Sequence, residues 1–208
     1  MALSIAYLAV IAALASAVFA FGTNFRRNAL TRTLPFLLLG VSGAAAVLAG
    51  GWAVLDGLKL AELLPLGLPW LHWHLRLDAL SGFFFAVVGL LLIAVSFYGP
   101  AYVREFEDSK QPLSVLGLFT GLFAAGMLLV LLADDAFVFM VAWELMSVSS
   151  YFLVTYQHQN APNRRAGFLY LLMAHVGALA ILLGFGVLAS FGGNFTFDAM
   201  RATTLAPL

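Results

Sequence analysis

A single glutamate, Glu144, lies in a stretch of the chain that carries no other charge from residue 136 to residue 157. If the stretch is helical, Glu144 lies about 13 Å from its start at 1.5 Å per residue. An ionised carboxylate at the centre of a bilayer costs about 3 kcal/mol even on a lenient scale, so such residues face a protein interior and mark ion pathways. The alternative is a permanently protonated glutamate that hydrogen-bonds a neighbouring helix for packing.

Two polar residues follow Glu144 on the same face of this predicted helix. Ser147 and Tyr151 lie three and seven positions after the glutamate, which corresponds to one and two helical turns. Together the three side chains form a narrow polar stripe. A carboxyl group that alternates between neutral and charged forms on such a stripe can pass a proton.

A histidine, His175, is the other ionisable side chain deep within an apolar stretch. If its helix runs antiparallel to that of Glu144, the two depths differ by about 5 Å at 1.5 Å per residue. The imidazole is therefore a candidate relay for protons near neutral pH. A neutral histidine bonded to a backbone carbonyl or a serine is the open alternative.

Two further histidines, His72 and His74, are spaced two apart in a segment that also holds Trp70 and Trp73. They can share a metal ion only if the segment is extended and other ligands arrive from elsewhere. Tryptophan and histidine suit the headgroup layer of a membrane. We therefore predict interfacial packing in an outer loop, and no metal site.

Six stretches without charged residues other than Glu144 are each long enough to cross a hydrocarbon core of about 30 Å. The composition agrees, with 63% hydrophobic residues, 10% charged residues and a mean hydropathy of +1.00. The sequence predicts an all-α fold, a polytopic membrane protein whose six transmembrane helices form one domain over 1–208, with 194–208 as a short interfacial tail. The predicted helices are 2–21, 34–55, 79–103, 111–133, 136–157 and 166–192.

Basic residues are unevenly distributed among the connections between these stretches. The second and fourth connections hold only Lys59 and Arg76, whereas the odd connections hold seven basic residues. The positive-inside rule therefore predicts cytoplasmic odd connections and an N-terminus outside the cell's inner (plasma) membrane. A signal peptide has basic residues before its apolar run, and no basic residue precedes the first apolar run here. We therefore interpret this run as a transmembrane helix that is retained. The seven residues are Arg26, Arg27, Arg32, Arg104, Lys110, Arg164 and Arg165.

The chain has no cysteine and a net charge of zero. It therefore cannot ligate an iron–sulfur cluster through thiolates, and any electron transfer must belong to partner proteins. Nothing in the charge indicates a nucleic-acid partner. A haem-bearing membrane anchor is disfavoured, because His175 is the only histidine within the predicted helices and bis-histidine ligation needs a second.

The stretch DAFVFMVAWELMSVSSYFLV at 135–154 resembles the fifth helix of the antiporter-like membrane subunits of respiratory complex I and of membrane-bound hydrogenases. Further motifs support this resemblance along most of the chain. The pattern is most similar to the membrane subunits of the hydrogenase 4 and formate hydrogenlyase branch of that family. The supporting motifs are LRLDALS at 75–81, YVREFE at 102–107, GFLYLLMAHVG at 167–177 and FTFDAMR at 195–201.

The resemblance implies that Glu144 matches the glutamate of a proton path and His175 the helix-six histidine of the hydrogenase branch. It implies a proton-translocating subunit of a redox complex, with no cofactor in this chain and with the nickel–iron site and iron–sulfur clusters in partner subunits. Family members continue beyond the sixth helix, and a lysine there pairs with the glutamate. We therefore expect this chain to match an N-terminal portion of such a subunit.

A second class of function stays open from the sequence. A subunit of a multi-subunit cation/proton antiporter, which has no redox partners, would share the same helix-five glutamate.

Overall fold

The structure is a computed structural model that describes residues 1–22, 29–57, 59–68, 71–106 and 112–202. Within these residues six helices are long and apolar enough to cross a membrane, which confirms the predicted membrane fold. A two-stranded hairpin, a 3-10 turn (Val103–Phe106) and a short helix, α7 (Phe197–Arg201), complete the described part. The six long helices are α1 (Ala2–Gly22), α2 (Ala29–Asp56), α3 (Ala79–Tyr102), α4 (Leu113–Leu132), α5 (Ala136–Val154) and α6 (Ala161–Gly192).

The connection between α2 and α3 contains an antiparallel hairpin of β1 (Leu60–Leu68) and β2 (Leu71–Leu77), where the sequence predicted an outer loop. The register shifts between Leu64 and Gly67. Pro65 lies within this irregularity, where its missing N–H removes no ladder bond. Pro65 is therefore accommodated by a bulge in the hairpin.

Two helices begin earlier than the uncharged stretches that predicted them. α2 begins at Ala29 and so contains Arg32, and α6 begins at Ala161 and contains Arg164 in its first turns. Pro162 lies in the first turn of α6, where its fixed φ suits a helix start. Charged side chains at a helix end can extend to the interface, so the helix does not need to end where the apolar run ends.

Small residues bring the first four helices close together. Along the seam of α2 and α3, a Cβ atom built on Gly50 would lie 2.2 Å from the carbonyl oxygen of Gly82, and one built on Gly43 would lie 2.6 Å from that of Gly89. Such backbone contact is the usual way in which helices associate in lipid. The hydroxyl of Ser42 also donates to the Ala9 carbonyl at 2.7 Å and ties α2 to α1.

α6 is the most peripheral of the long helices. It packs mainly on α5, and its buried residues are Gly167, Ala178 and Ala189. A Cβ atom on Gly167 would lie 2.1 Å from Cγ2 of Thr155, so α6 approaches the C-terminal end of α5 very closely. The remaining length of α6 presents apolar side chains outward.

The connections separate onto two faces of the bundle. The hairpin, the α4–α5 connection and the α6–α7 connection meet on one face, where short β-bridges join Leu75 to Ala133 and Asp135 to Thr196. The N-terminal half of α1 reaches the same face, because the Tyr7 hydroxyl donates to Glu62 of β1 at 3.1 Å. We call this the hairpin face, and the opposite one, with Arg164, the basic face.

Candidate functional site

Glu144 of α5 and His175 of α6 are brought together by the structure. The Nε2 atom of His175 lies 3.6 Å from Oε2 of Glu144. Nδ1 lies 3.0 Å from the Leu171 carbonyl oxygen, one helical turn earlier. A carbonyl can only accept, so Nδ1 carries the hydrogen and the neutral imidazole presents the lone pair of Nε2 to the carboxyl group.

This arrangement suits a pair that shares one proton. A protonated Glu144 can donate to neutral His175, and the reverse assignment is an ion pair. The separation of 3.6 Å is within ion-pair range but exceeds a hydrogen bond, so direct proton transfer requires a small rotamer movement. The geometry is also compatible with the two packing roles that the sequence left open. Glu144 contacts a neighbouring helix, and His175 bonds a backbone carbonyl.

The pair lies in a groove between α5 and α6 that is open on its outer side. The Glu144 side chain is 38% exposed and that of His175 is 49% exposed in this chain. An ionisable pair at membrane depth is stabilised when protein or water covers it rather than lipid. The open side of this groove therefore has to be covered by protein or water rather than by lipid.

The two other residues of the polar stripe lie between Glu144 and the basic face. Ser147 is buried, and the half-buried ring of Tyr151 lies beside Gly167 of α6. Tyr151 also lines an open cavity of about 410 Å³ together with His158 and Arg164. The stripe thus leads from the Glu144–His175 pair towards a cavity on the basic face.

A polar cluster lies at the other end of α5. Asp135 is fully buried, and one of its oxygens accepts from the Val138 backbone N–H at 2.7 Å, which caps α5. The other accepts from the backbone N–H of His74 at 2.8 Å and lies 3.3 Å from its Nδ1. The Asp135 side chain therefore holds both the start of α5 and the second strand of the hairpin.

Asp134 adds a second residue of β2 and a residue of α7 to this cluster. Its Oδ1 lies 3.1 Å from Nε of Arg76 on β2 and 3.9 Å from the guanidinium of Arg201 on α7. Burial raises the pKa of Asp134 above its ordinary value, and the charges of Arg76 and Arg201 only partly oppose that. We call the five residues His74, Arg76, Asp134, Asp135 and Arg201 the outer clamp.

The start of α3 adds a charge to the edge of the clamp. Asp78 caps α3 by accepting from the Ser81 backbone N–H at 2.8 Å, and its other oxygen lies 3.5 Å from Arg76. Burial acts to raise the pKa of Asp78, but the hydrogen bonds from Ser81 and the charge of Arg76 outweigh it, and the pKa is lowered. Asp78 is therefore the ionised partner of Arg76 at neutral pH.

The two histidines of the hairpin, His72 and His74, have different surroundings. His74 faces Asp135, whereas His72 is exposed. Among the described residues no group of three or more histidine or acidic side chains could hold a metal ion. The predicted basic residues Arg26, Arg27 and Lys110, and residues 203–208 of the predicted tail, lie outside the described part of the chain.

Comparisons with known proteins point to one family. Residues 133–206 match the family model described as NADH:quinone oxidoreductase/Mrp antiporter, TM. Hydrogenase-4 component B of Escherichia coli is 37% identical over 133 residues, which is 64% of this chain and 19% of that protein. A putative antiporter subunit of Staphylococcus aureus is 34% identical over 136 residues, which is 63% of this chain and 17% of that protein.

A solved structure agrees with the fold. The membrane-bound sulfane sulfur reductase, an archaeal respiratory membrane complex, contains a chain that superposes with a TM-score of 0.74 at 21% identity, covering 92% of this chain and 28% of that one. The present chain thus spans about a fifth of the length of the curated relatives described above. By its helix-five motif, its membrane fold and these relatives, the chain is similar to the antiporter-like membrane subunits of complex I, Mrp antiporters and membrane-bound hydrogenases.

Proposed function

We propose that the chain is part of a proton-translocating membrane subunit of a redox complex of the hydrogenase 4 and formate hydrogenlyase type. The observation that carries the proposal is the contact between Glu144 and His175, two groups that can hold and pass a proton at membrane depth. The likeness to Hydrogenase-4 component B favours the redox branch. This subunit moves the proton, and it is not the redox catalyst.

The partners in this proposal are other membrane and peripheral subunits. They carry the nickel–iron site and the iron–sulfur clusters, because this chain has no cysteine to ligate clusters. Further transmembrane helices of the assembly cover the open side of the α5–α6 groove, where Glu144 and His175 are exposed. A cationic side chain on those helices would stabilise the charged form of Glu144.

The second candidate is a subunit of a cation/proton antiporter without redox partners. It is supported by the likeness to the putative antiporter subunit and uses the same pair of residues. Purification of the intact complex from source cells separates the two functions. Co-purified hydrogenase subunits support the redox proposal, and co-purified antiporter subunits alone would replace it with the second candidate.

Replacement of His175 by alanine tests the relay. We expect His175→Ala to slow proton transfer at least about tenfold, because a positioned acid–base group contributes that much or more. Complex assembly and electron transfer to an artificial acceptor should stay near wild type. His72→Ala, at an exposed position of the hairpin, is the matched control. If assembly falls in proportion to pumping, His175 has a packing role instead.

We further propose that the N-terminus and the hairpin face lie outside the cytoplasmic membrane. The seven-to-two distribution of basic residues carries this orientation. The chain has no native cysteine, so a cysteine placed at Asn160 or at Ala202 reports one site each. An impermeant thiol reagent added to intact cells should label Ala202→Cys and spare Asn160→Cys. The reverse pattern of labelling would invert the topology.

A further inference from the structure

We propose that the outer clamp is a positioning device that sets the register of α5 against α6 and thereby holds Glu144 in contact with His175. The inference rests on the proposed function for the role of that pair. It assigns a new role to His74, Arg76 and Asp135, which do not themselves touch the pair.

Backbone hydrogen bonds beside the clamp tie the two helices together at one end. The Ala136 backbone N–H donates to the Phe195 carbonyl at 3.0 Å, and that of Phe197 donates to the Asp134 carbonyl at 3.0 Å. These bonds join the start of α5 to the segment that leaves α6. Gly193, with a φ of +70°, ends α6 immediately before this segment, so the bonds fix where α6 ends relative to α5.

An aromatic cluster next to the clamp also connects α5 to α6. The ring of Phe139 on α5 packs edge-on against Phe185 of α6 at 5.5 Å between centroids, and Phe197 of α7 contacts both rings. Rings packed in this way resist sliding past one another. A displacement of the start of α5 at the clamp is therefore transmitted to α6 as a shift of the whole helix. Glu144 lies only five residues after Phe139 on the same helix.

Ion pairs and hydrogen bonds hold the hairpin at the same end of α5. The Asp135 side chain accepts from the backbone N–H of His74, and the Asp134 side chain forms an ion pair with Arg76. The Asp134 backbone N–H also donates to the His74 carbonyl at 2.9 Å. The charged groups that face Asp135 from these elements are those of the outer clamp, with Asp78 and Asp198 at its edge. A movement of the hairpin therefore displaces the start of α5.

The opposite end of the α5–α6 pair is already fixed by the close approach of Gly167 to Thr155. With both ends held, the separation of 3.6 Å between His175 and Glu144 is determined by the two contacts together. Loss of the clamp leaves this end held only by the two backbone bonds and the aromatic cluster, so α6 can shift on α5.

The register can be measured without any transport assay. Cysteines are placed at positions 144 and 175 of the otherwise cysteine-free chain in lipid nanodiscs, and the rate of their cross-linking by a short thiol-reactive bridge is recorded. Asp135→Asn keeps the cap oxygen for Val138 but turns an amide towards the His74 N–H. We expect cross-linking to slow about tenfold, since a displacement near 1 Å has large effects on proximity.

Matched controls separate positioning from general loosening. Arg76→Gln, which is less disruptive to the start of α5, should slow cross-linking in the same direction, and Glu62→Gln on β1, outside the clamp, should not. A second cysteine pair at Phe119 and Phe152, whose rings stack at 4.2 Å between α4 and α5, should react at the wild-type rate throughout. Unchanged rates at 144 and 175, or equal slowing at both pairs, would overturn the proposal.

A functional measurement completes the test in the assembled complex. The pH profile of proton transfer in Asp135→Asn should move towards that of His175→Ala, and Glu62→Gln should leave it at the wild-type position. A profile that stays at the wild-type position despite slowed cross-linking would contradict the positioning role. If His175→Ala itself leaves proton transfer unchanged, the proposed function fails, and the cross-linking result still decides whether the clamp sets the register.

Discussion

Replacement of Glu144 by glutamine is expected to lower proton transfer about a hundredfold, because the amide keeps the shape of the side chain but cannot release a proton. The variant should still fold and assemble, since the amide can donate to Nε2 of His175 in place of the protonated carboxyl group. Proton uptake by membrane vesicles containing the complex, driven by its electron donor, measures the effect.

The control for this variant is another glutamate-to-glutamine change in the same chain. Glu62 lies on β1, where its side chain accepts from the Tyr7 hydroxyl of α1, and it belongs to neither α5 nor α6. Glu62→Gln should leave proton uptake near wild type. Wild-type uptake in Glu144→Gln would assign the glutamate a packing role and remove the basis of the proposed path.

The second large effect is expected at the seam of α2 and α3. Gly50→Ala should lower the free energy of unfolding by about 3 kcal/mol, at the upper end of the usual cost of overpacking. The added Cβ would lie 2.2 Å from the Gly82 carbonyl oxygen and 2.8 Å from the Ala86 backbone nitrogen, and neither backbone atom can rotate away. Unfolding in mixed detergent micelles, followed by circular dichroism, gives the free energy.

The neighbouring glycine provides a matched control on the same helix. A Cβ atom on Gly51 would meet nothing within 4 Å, so Gly51→Ala should change the free energy of unfolding by no more than about 0.5 kcal/mol. Equal effects of the two substitutions would show that helix propensity, and not the close approach of α2 and α3, determines the stability of this seam.

The six membrane-spanning helices could be predicted from the sequence because an uncharged run of sufficient length has few alternatives in lipid. The start of α6 was predicted at residue 166, whereas the helix begins at Ala161. Arg164 was counted as a connection residue on charge alone. In the structure its guanidinium turns back to donate to the His158 carbonyl at 2.8 Å, which is compatible with a helical backbone.

The proximity of Glu144 and His175 could also be predicted from the sequence, because antiparallel helices joined by a short connection bring residues of similar depth together. The outer clamp was not, since His74 and Asp135 are 61 residues apart and neither residue type indicates the other as its partner. The one feature of the sequence that could have indicated this cluster is the pair Asp134–Asp135 between two apolar runs. Two adjacent carboxylates beside a membrane require more partners than one helix start supplies.

The central claim, that Glu144 and His175 act as one proton-transfer unit, is tested most directly by the number of protons taken up per electron in vesicles from wild type, Glu144→Gln, His175→Ala and the double variant. Residues that act as a unit give non-additive effects. We expect the double variant to lose no more than the more severe single variant. Losses that multiply in the double variant would contradict the claim, because they would show two independent routes.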